Sequence, residues 1–193
     1  MIYILLGAGG FLLLLLFDWA DWRGLRNAKP LIMIGVAVLF SLAFAGTLIF
    51  SGYFHVPLGL RITGAVLALF FLFLFVFSLY LEIPFSQTYA GKDGERRVVA
   101  TGTYALVRHP GVIWFFFFHL CLAFAAGSVL LLVAVPFWTG MNVVLVAVED
   151  SVFFPKTFGK SYGQYQKTVP FLIPTGTSIR QCFATFQMPF SRG

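Results

Sequence analysis

Residues 111–148 read GVIWFFFFHLCLAFAAGSVLLLVAVPFWTGMNVVLVAV, and this stretch decides the fold. It holds 38 residues without a single Asp, Glu, Lys or Arg. As one helix it would be about 57 Å long, nearly twice the roughly 30 Å hydrocarbon core of a bilayer. The chain must therefore fold back inside it. Gly127-Ser128 is the turn signal within the run. The expectation is a tight hairpin of a short fourth helix and a fifth near 129–148, with Pro136 and Gly140 kinking or thinning the fifth.

Three more apolar runs lie upstream, at about 2–17, 31–54 and 58–81. The first has no basic residue before it and Asp18-Trp19-Ala20-Asp21-Trp22 after it. That is a retained helix with interfacial tryptophans rather than a cleaved leader. Pro30 suits the first turn of the second helix. Across all 193 residues, 60% are hydrophobic and 10% charged, against about 25% charged in a soluble domain. A soluble domain, a disordered chain and a nucleic-acid reader are thereby excluded. The expected class is all-α: a polytopic membrane protein with five transmembrane helices, the last two a tight hairpin, plus a cytoplasmic amphipathic helix.

The net charge of +6 fits this class. With five spans, loops 18–29 and 82–110 and the tail fall on one side with twelve of the thirteen basic residues, and Arg61 alone falls on the other. Basic residues collect on the cytoplasmic side, which places the N-terminus outside and the tail inside. A bacterial inner membrane is the expected location. Cys121 and Cys182 form no CxxC or disulfide pattern. Three parts are expected: a three-helix part at 1–81, a core at 82–174 and a tail at 175–193.

The sorting also gathers the reactive side chains at one membrane edge. Tyr104, Arg108 and His109 end the long loop, and Glu149 and Asp150 end the fifth span. Folding about residue 127.5 leaves His109 and Asp150 about 6 Å apart along the axis. Interfacial charges that merely end the spans would look the same. Phe158, Tyr162 and Tyr165 recur at i, i+4 and i+7, with Lys156, Lys160 and Lys167 largely on other faces. This predicts a short helix lying on the membrane surface. The Pro-bounded strip at 169–174 follows, extended and able to close over a pocket.

Gly102-Thr103-Tyr104-Ala105-Leu106-Val107-Arg108-His109-Pro110 resembles the G-x-Y-x-x-x-R-H-P motif of integral-membrane methyltransferases. These include isoprenylcysteine carboxyl methyltransferase and the phospholipid N-methyltransferases. The run from Phe158 to Tyr165, then Val169 and Ile173-Pro174, is similar to their F-G-x-x-Y-x-x-Y…V…I-P tail. The resemblance covers about residues 96–174. It implies cytoplasmic S-adenosylmethionine (SAM) as cofactor, no metal, and a lipophilic acceptor (lipid amine, thiol or carboxylate) entering from the bilayer. Carried over residue by residue, it puts Arg96, Arg97, Val98, Val99, Tyr104, Arg108, His109, Pro110, Gly111, Val112, Asp150 and Tyr162 at the cofactor, with His109 or Glu149 as proton acceptor. Val112 and Trp114 stand where the family often has Tyr and Gly. Val146 stands where the carboxyl methyltransferases carry an arginine, which points away from a prenylcysteine carboxylate. A non-catalytic membrane accessory protein of the same fold is the alternative. Acceptor identity and oligomeric state are not implied.

Overall fold

A computed structural model of the chain describes residues 1–25, 27–82 and 98–186. Among them, α1 is Ile2–Trp22, α2 Lys29–Ile49, α3 Leu58–Val76, α4 Thr103–Leu106, α5 Pro110–Ala126, α6 Val129–Val148, α7 Phe154–Phe158, α8 Lys160–Thr168 and α9 Gly176–Thr185. No strand is present among the described residues, only an isolated bridge between Tyr53 and Ser128. Two five-residue π-helical turns, Phe77–Leu81 and Glu149–Phe153, follow α3 and α6.

Among the described residues, four segments are long and apolar enough to cross a membrane: Ile2–Trp22, Lys29–Ile49, Leu58–Leu81 and Val129–Phe158. Only 22% of the first three is buried within the protein. Their outer faces therefore offer apolar side chains that water does not tolerate over such an area, and the chain is an integral membrane protein. Five spans were expected, and the count differs at α5. Its 17 residues make about 26 Å of helix. Pro110 starts it, and Gly127, at φ +70°, stops it. The second helix ends at Ile49, earlier than the run to residue 54 suggested, because the Ser51-Gly52 backbone and hydroxyl bond the start of α6. Pro136 sits inside a continuous α6.

The chain divides into two compact units, Met1–Phe70 with Phe116–Glu149, and Phe71–Phe115 with Asp150–Gly193. In the first, glycines let α1 and α2 approach closely. A Cβ at Gly46 would lie 2.0 Å from the Tyr3 ring, and one at Gly10 2.9 Å from Phe40. Small residues are the usual means of close helix packing in lipid, where burial from water supplies no drive. The Trp138 indole of α6 fits against Gly7 and donates to the Ile4 carbonyl at 3.0 Å. Ser128 caps α6 by accepting from the Leu131 N–H at 3.0 Å, and its hydroxyl donates to the Thr47 carbonyl at 2.7 Å. Helix starts leave N–H groups unpaired, and Ser is a favoured cap.

In the second unit, Phe71 stacks on Trp114 and Phe75 meets Phe115. Helix α9 packs against α4. Tyr162 and Tyr165 of α8 are buried in a cluster with Val169, against which Val98, Phe154 and Phe158 pack. The periodicity expected here is present, but the aromatic face points into the protein rather than onto a membrane surface. The two phenol groups find polar partners inside, which the next section describes.

Candidate active site

The site begins at a turn that only glycine fits. Gly102 has φ +58°, and a Cβ there would fall 1.7 Å from Glu82 Oε1. The Glu82 carboxylate accepts from the Thr103 N–H at 2.7 Å and from the Thr103 hydroxyl. The Gly102 N–H donates to Thr185 Oγ1 at 3.0 Å. These bonds hold both ends of the turn and so fix where α4, Arg108 and His109 emerge.

Arg108 is a clamp. Its Nε and Nη2 donate to Asp150 Oδ1 and Oδ2 at 2.9 and 3.1 Å, a two-pronged ion pair. Its Nη1 donates to the carbonyls of Gln166 and Val169 at 2.8 and 2.9 Å. Its backbone N–H donates to the Pro170 carbonyl at 2.9 Å, and the guanidinium lies 5.5 Å from the Phe171 ring centre. Four of the five guanidinium N–H groups thus engage the protein itself, and two of them tie down the end of α8.

Asp150 is the hub. Besides Arg108, its carboxylate accepts from Tyr162 Oη at 2.6 Å and Gln166 Nε2 at 3.0 Å, with His109 Nε2 at 3.3 Å. Gln166 Nε2 also reaches the Asp150 carbonyl at 2.9 Å. A carboxylate has about four lone-pair sites, and five donors converge on this one. Asp150 sits in the π-helical turn after α6, a wide turn that rotates following residues off the α-helical register and recurs at functional sites.

His109 is buried, stacked 6.0 Å from Phe154 and edge-on 5.2 Å from Phe171. A carboxylate only accepts, so Nε2 carries the hydrogen and Nδ1 keeps its lone pair. Burial pulls its pKa down to about 4, the Asp150 carboxylate opposes this, and the Arg108 charge adds to it. The ring is neutral at pH 7. Burial likewise holds the Tyr162 phenol well above its ordinary value, with Asp150 adding to the shift. Tyr162 stays a donor. Tyr165 Oη donates to the Tyr104 carbonyl at 2.7 Å and binds α8 to α4.

The expected residues divide accordingly. Arg108, His109, Asp150 and Tyr162 meet in one hydrogen-bonded cluster. Tyr104 joins through its carbonyl and Val98 by packing. Pro110 and Val112 are buried beside His109 in sequence, Gly111 faces Leu79 and Phe75, and Val99 is half-buried. Glu149 hydrogen-bonds Asp18 of α1. Arg96 and Arg97 lie outside the described residues. Gln166 and Phe154 were not anticipated, and Phe171 belongs to the Pro-bounded strip at 169–174. Gln166 carried a usable signal, since it is four residues after Tyr162 and shares its face of α8.

A family model for phospholipid methyltransferases matches residues 60–161, just over half of the chain. The chain belongs to the phospholipid methyltransferase family. Methyl transfer at a membrane is the activity this family implies. The matched region contains Arg108, His109 and Asp150. No curated protein and no solved structure matches the chain.

The buried histidine of this phospholipid methyltransferase relative makes stability depend on pH. The folded state resists protonation down to about pH 4, whereas an unfolded His protonates near its ordinary 6.5. Between those values the unfolded chain binds more protons, so its stability falls with falling pH. The contribution is intact above pH 6.5 and is lost toward pH 4. Thermal unfolding in detergent should show this slope, and His109→Gln should flatten it. An unchanged slope in the variant would place the titration elsewhere.

Proposed function

We propose that this protein moves a methyl group from SAM to a lipophilic acceptor in the membrane, within a five-span fold in which α5 is the short fourth span and the tail is cytoplasmic. One observation carries the reading: Arg108, His109, Asp150 and Tyr162 converge where the family motif ends. When bound, SAM supplies an electrophilic methyl group on a sulfonium sulfur.

The side chains suit such a cation. Phe154, Phe158 and Tyr162 form a run of rings with centres 5.4 to 6.0 Å apart, and the first two are only partly buried. Aromatic faces attract cations. His109 offers its Nδ1 lone pair to a donor of the cofactor or acceptor. Asp150 and Arg108 are occupied with each other and with α8, so they act as positioning residues that hold His109 and Tyr162. Tyr104 and Val98 back α8 from α4 and the preceding loop. Positioning supplies most of the rate in such a transfer, because the reaction needs the electron pair in line with the methyl carbon and water excluded. A ring with pKa near 4 is a poor proton acceptor at pH 7. The reading therefore favours an acceptor that arrives with a free electron pair: a thiolate, a carboxylate or an amine already neutral.

Calorimetric titration of SAM into the detergent-purified protein, with lipid present, tests this. Wild type is expected to bind, and His109→Ala to bind at least about tenfold more weakly, the loss of one good hydrogen bond. Labelled SAM with lipid extracts should then give label in the lipid phase, and its rate profile above pH 6 separates acceptors that must lose a proton from those that need not. No binding by folded protein sinks the cofactor reading. Binding without transfer to any lipid extract favours the non-catalytic accessory protein.

A further inference from the structure

The tail helix α9 has two unlike faces. One turns inward. Ser178 is buried and completes a reciprocal cap with Thr175, and Thr185 receives the Gly102 N–H. The other carries Ile179 and Phe183, four residues apart, at 42% and 80% exposure. Ile173, just ahead of the helix, is 82% exposed, and Arg180 flanks the apolar pair in the open. Large apolar side chains this open need a partner.

Where the helix sits indicates what that partner is. Phe186, the residue that ends α9, stacks on Phe77 with ring centres 5.8 Å apart. Phe77 lies in the final turn of the membrane-crossing segment Leu58–Leu81, four residues from its end. That is about 6 Å of helix rise. The C-terminal end of α9 is therefore pinned at the level where the third span leaves the bilayer. An amphipathic helix at that depth, with an apolar pair on one side and an arginine at its flank, has the pattern of helices that lie in the headgroup boundary.

We propose that α9 is an interfacial helix. Ile179 and Phe183, with Ile173 and Phe186 at either end, insert into the headgroup–acyl boundary of the same bilayer, and Arg180 meets anionic headgroups. The site motif is joined to this seat through Gly102 and Thr185. The inference concerns the membrane alone and does not depend on the methyl-transfer reading.

The test is spin-label accessibility in the full-length protein, in nanodiscs of equal parts phosphatidylcholine and phosphatidylglycerol. Cys121 and Cys182 are first replaced by Ala and Ser. Labels are placed singly at Phe183→Cys, Ile179→Cys and Thr177→Cys, the last exposed on the far flank of the helix. Oxygen concentrates in the bilayer and a nickel chelate stays in water. The oxygen-to-nickel collision ratio at 183 and 179 is expected to exceed that at 177 several-fold. Equal, water-like ratios at all three positions overturn the proposal. Low access to both probes at 183 and 179, with dipolar broadening between labels on two chains, overturns it in favour of a second copy of the chain. Two inserted positions keep the test decisive if one substituted protein fails to fold, which size-exclusion elution and circular dichroism show.

Discussion

Asp150→Ala is expected to be the most damaging single substitution in the site. Arg108 and Asp150 have side chains only 12% and 11% exposed. Removing the carboxylate strands a guanidinium in a largely dry place, and breaking one half of such a pair costs about 3–5 kcal/mol. Tyr162 Oη and Gln166 Nε2 lose their acceptor in the same step. With the hub gone, α8 loses its register against Arg108, and His109 loses its orienting partner. A displacement of 1 Å in a positioned site costs about a hundredfold in rate, so methyl transfer should fall by at least about that factor. Thermal unfolding measures the first effect and label transfer the second. Asp150→Asn keeps the shape and part of the bonding, and should fall between wild type and alanine on both. Wild-type melting and transfer in the alanine variant would refute the hub.

The second large effect lies far along the sequence, in the first unit. A Cβ at Gly7 would sit 2.2 Å from Trp138 Nε1 and 2.4 Å from its ring carbon. An indole is a rigid plate, so it must move as a whole. Gly7→Ala should therefore push Trp138 off the Ile4 carbonyl, now 3.0 Å away. Overpacking costs about 1–3 kcal/mol, and an indole N–H left unpaired in apolar surroundings adds about as much again. The denaturation midpoint in mixed detergent micelles should drop clearly. Gly140→Ala is the matched control. Nothing lies within 4 Å of its added methyl, and alanine favours helix over glycine by about 1 kcal/mol, so its midpoint should hold or rise. Similar losses in both variants would mean that glycine flexibility, not the Trp138 contact, sets the result.

Much of this architecture was legible in the residues because span length is a hard constraint. The runs at 2–17 and 58–81 correspond to helices at Ile2–Trp22 and Leu58–Leu81. The Gly127-Ser128 break falls where length required one. Counting from that break also placed residues 109 and 150 about 6 Å apart along the axis, and their side chains meet at 3.3 Å. What escaped was phase. A π-helical turn admits one extra residue per turn and leaves no compositional trace. The turn at Glu149–Phe153 shifts the residues after it off the α-helical register, so the partners of Asp150 could not be counted from the helix before it. Periodicity found the Phe158, Tyr162 and Tyr165 face but assigned it to the membrane surface, whereas the protein covers it, since an apolar face suits either cover. Exposed apolar residues on α9 were equally invisible, because exposure is a property of neighbours. The family motif marks Arg108 and Asp150 as cofactor positions but carries no sign of the two-pronged bond that joins them to each other.

The Arg108 clamp also bears on how the protein is made. Its partners at positions 150, 166 and 169 follow it by roughly forty to sixty residues. During synthesis at about 5–20 residues per second, the arginine is translated several seconds before its acceptors. Throughout that interval the apolar helices can enter the bilayer while the hydrogen-bonded centre around Arg108 does not yet exist. The centre closes only when α8 swings back onto a motif already delivered. A ribosome stalled after the last apolar helix, or a protease that clips within α8, would leave an inserted bundle with no centre at all. Insertion and closure of this centre are in this way separate events.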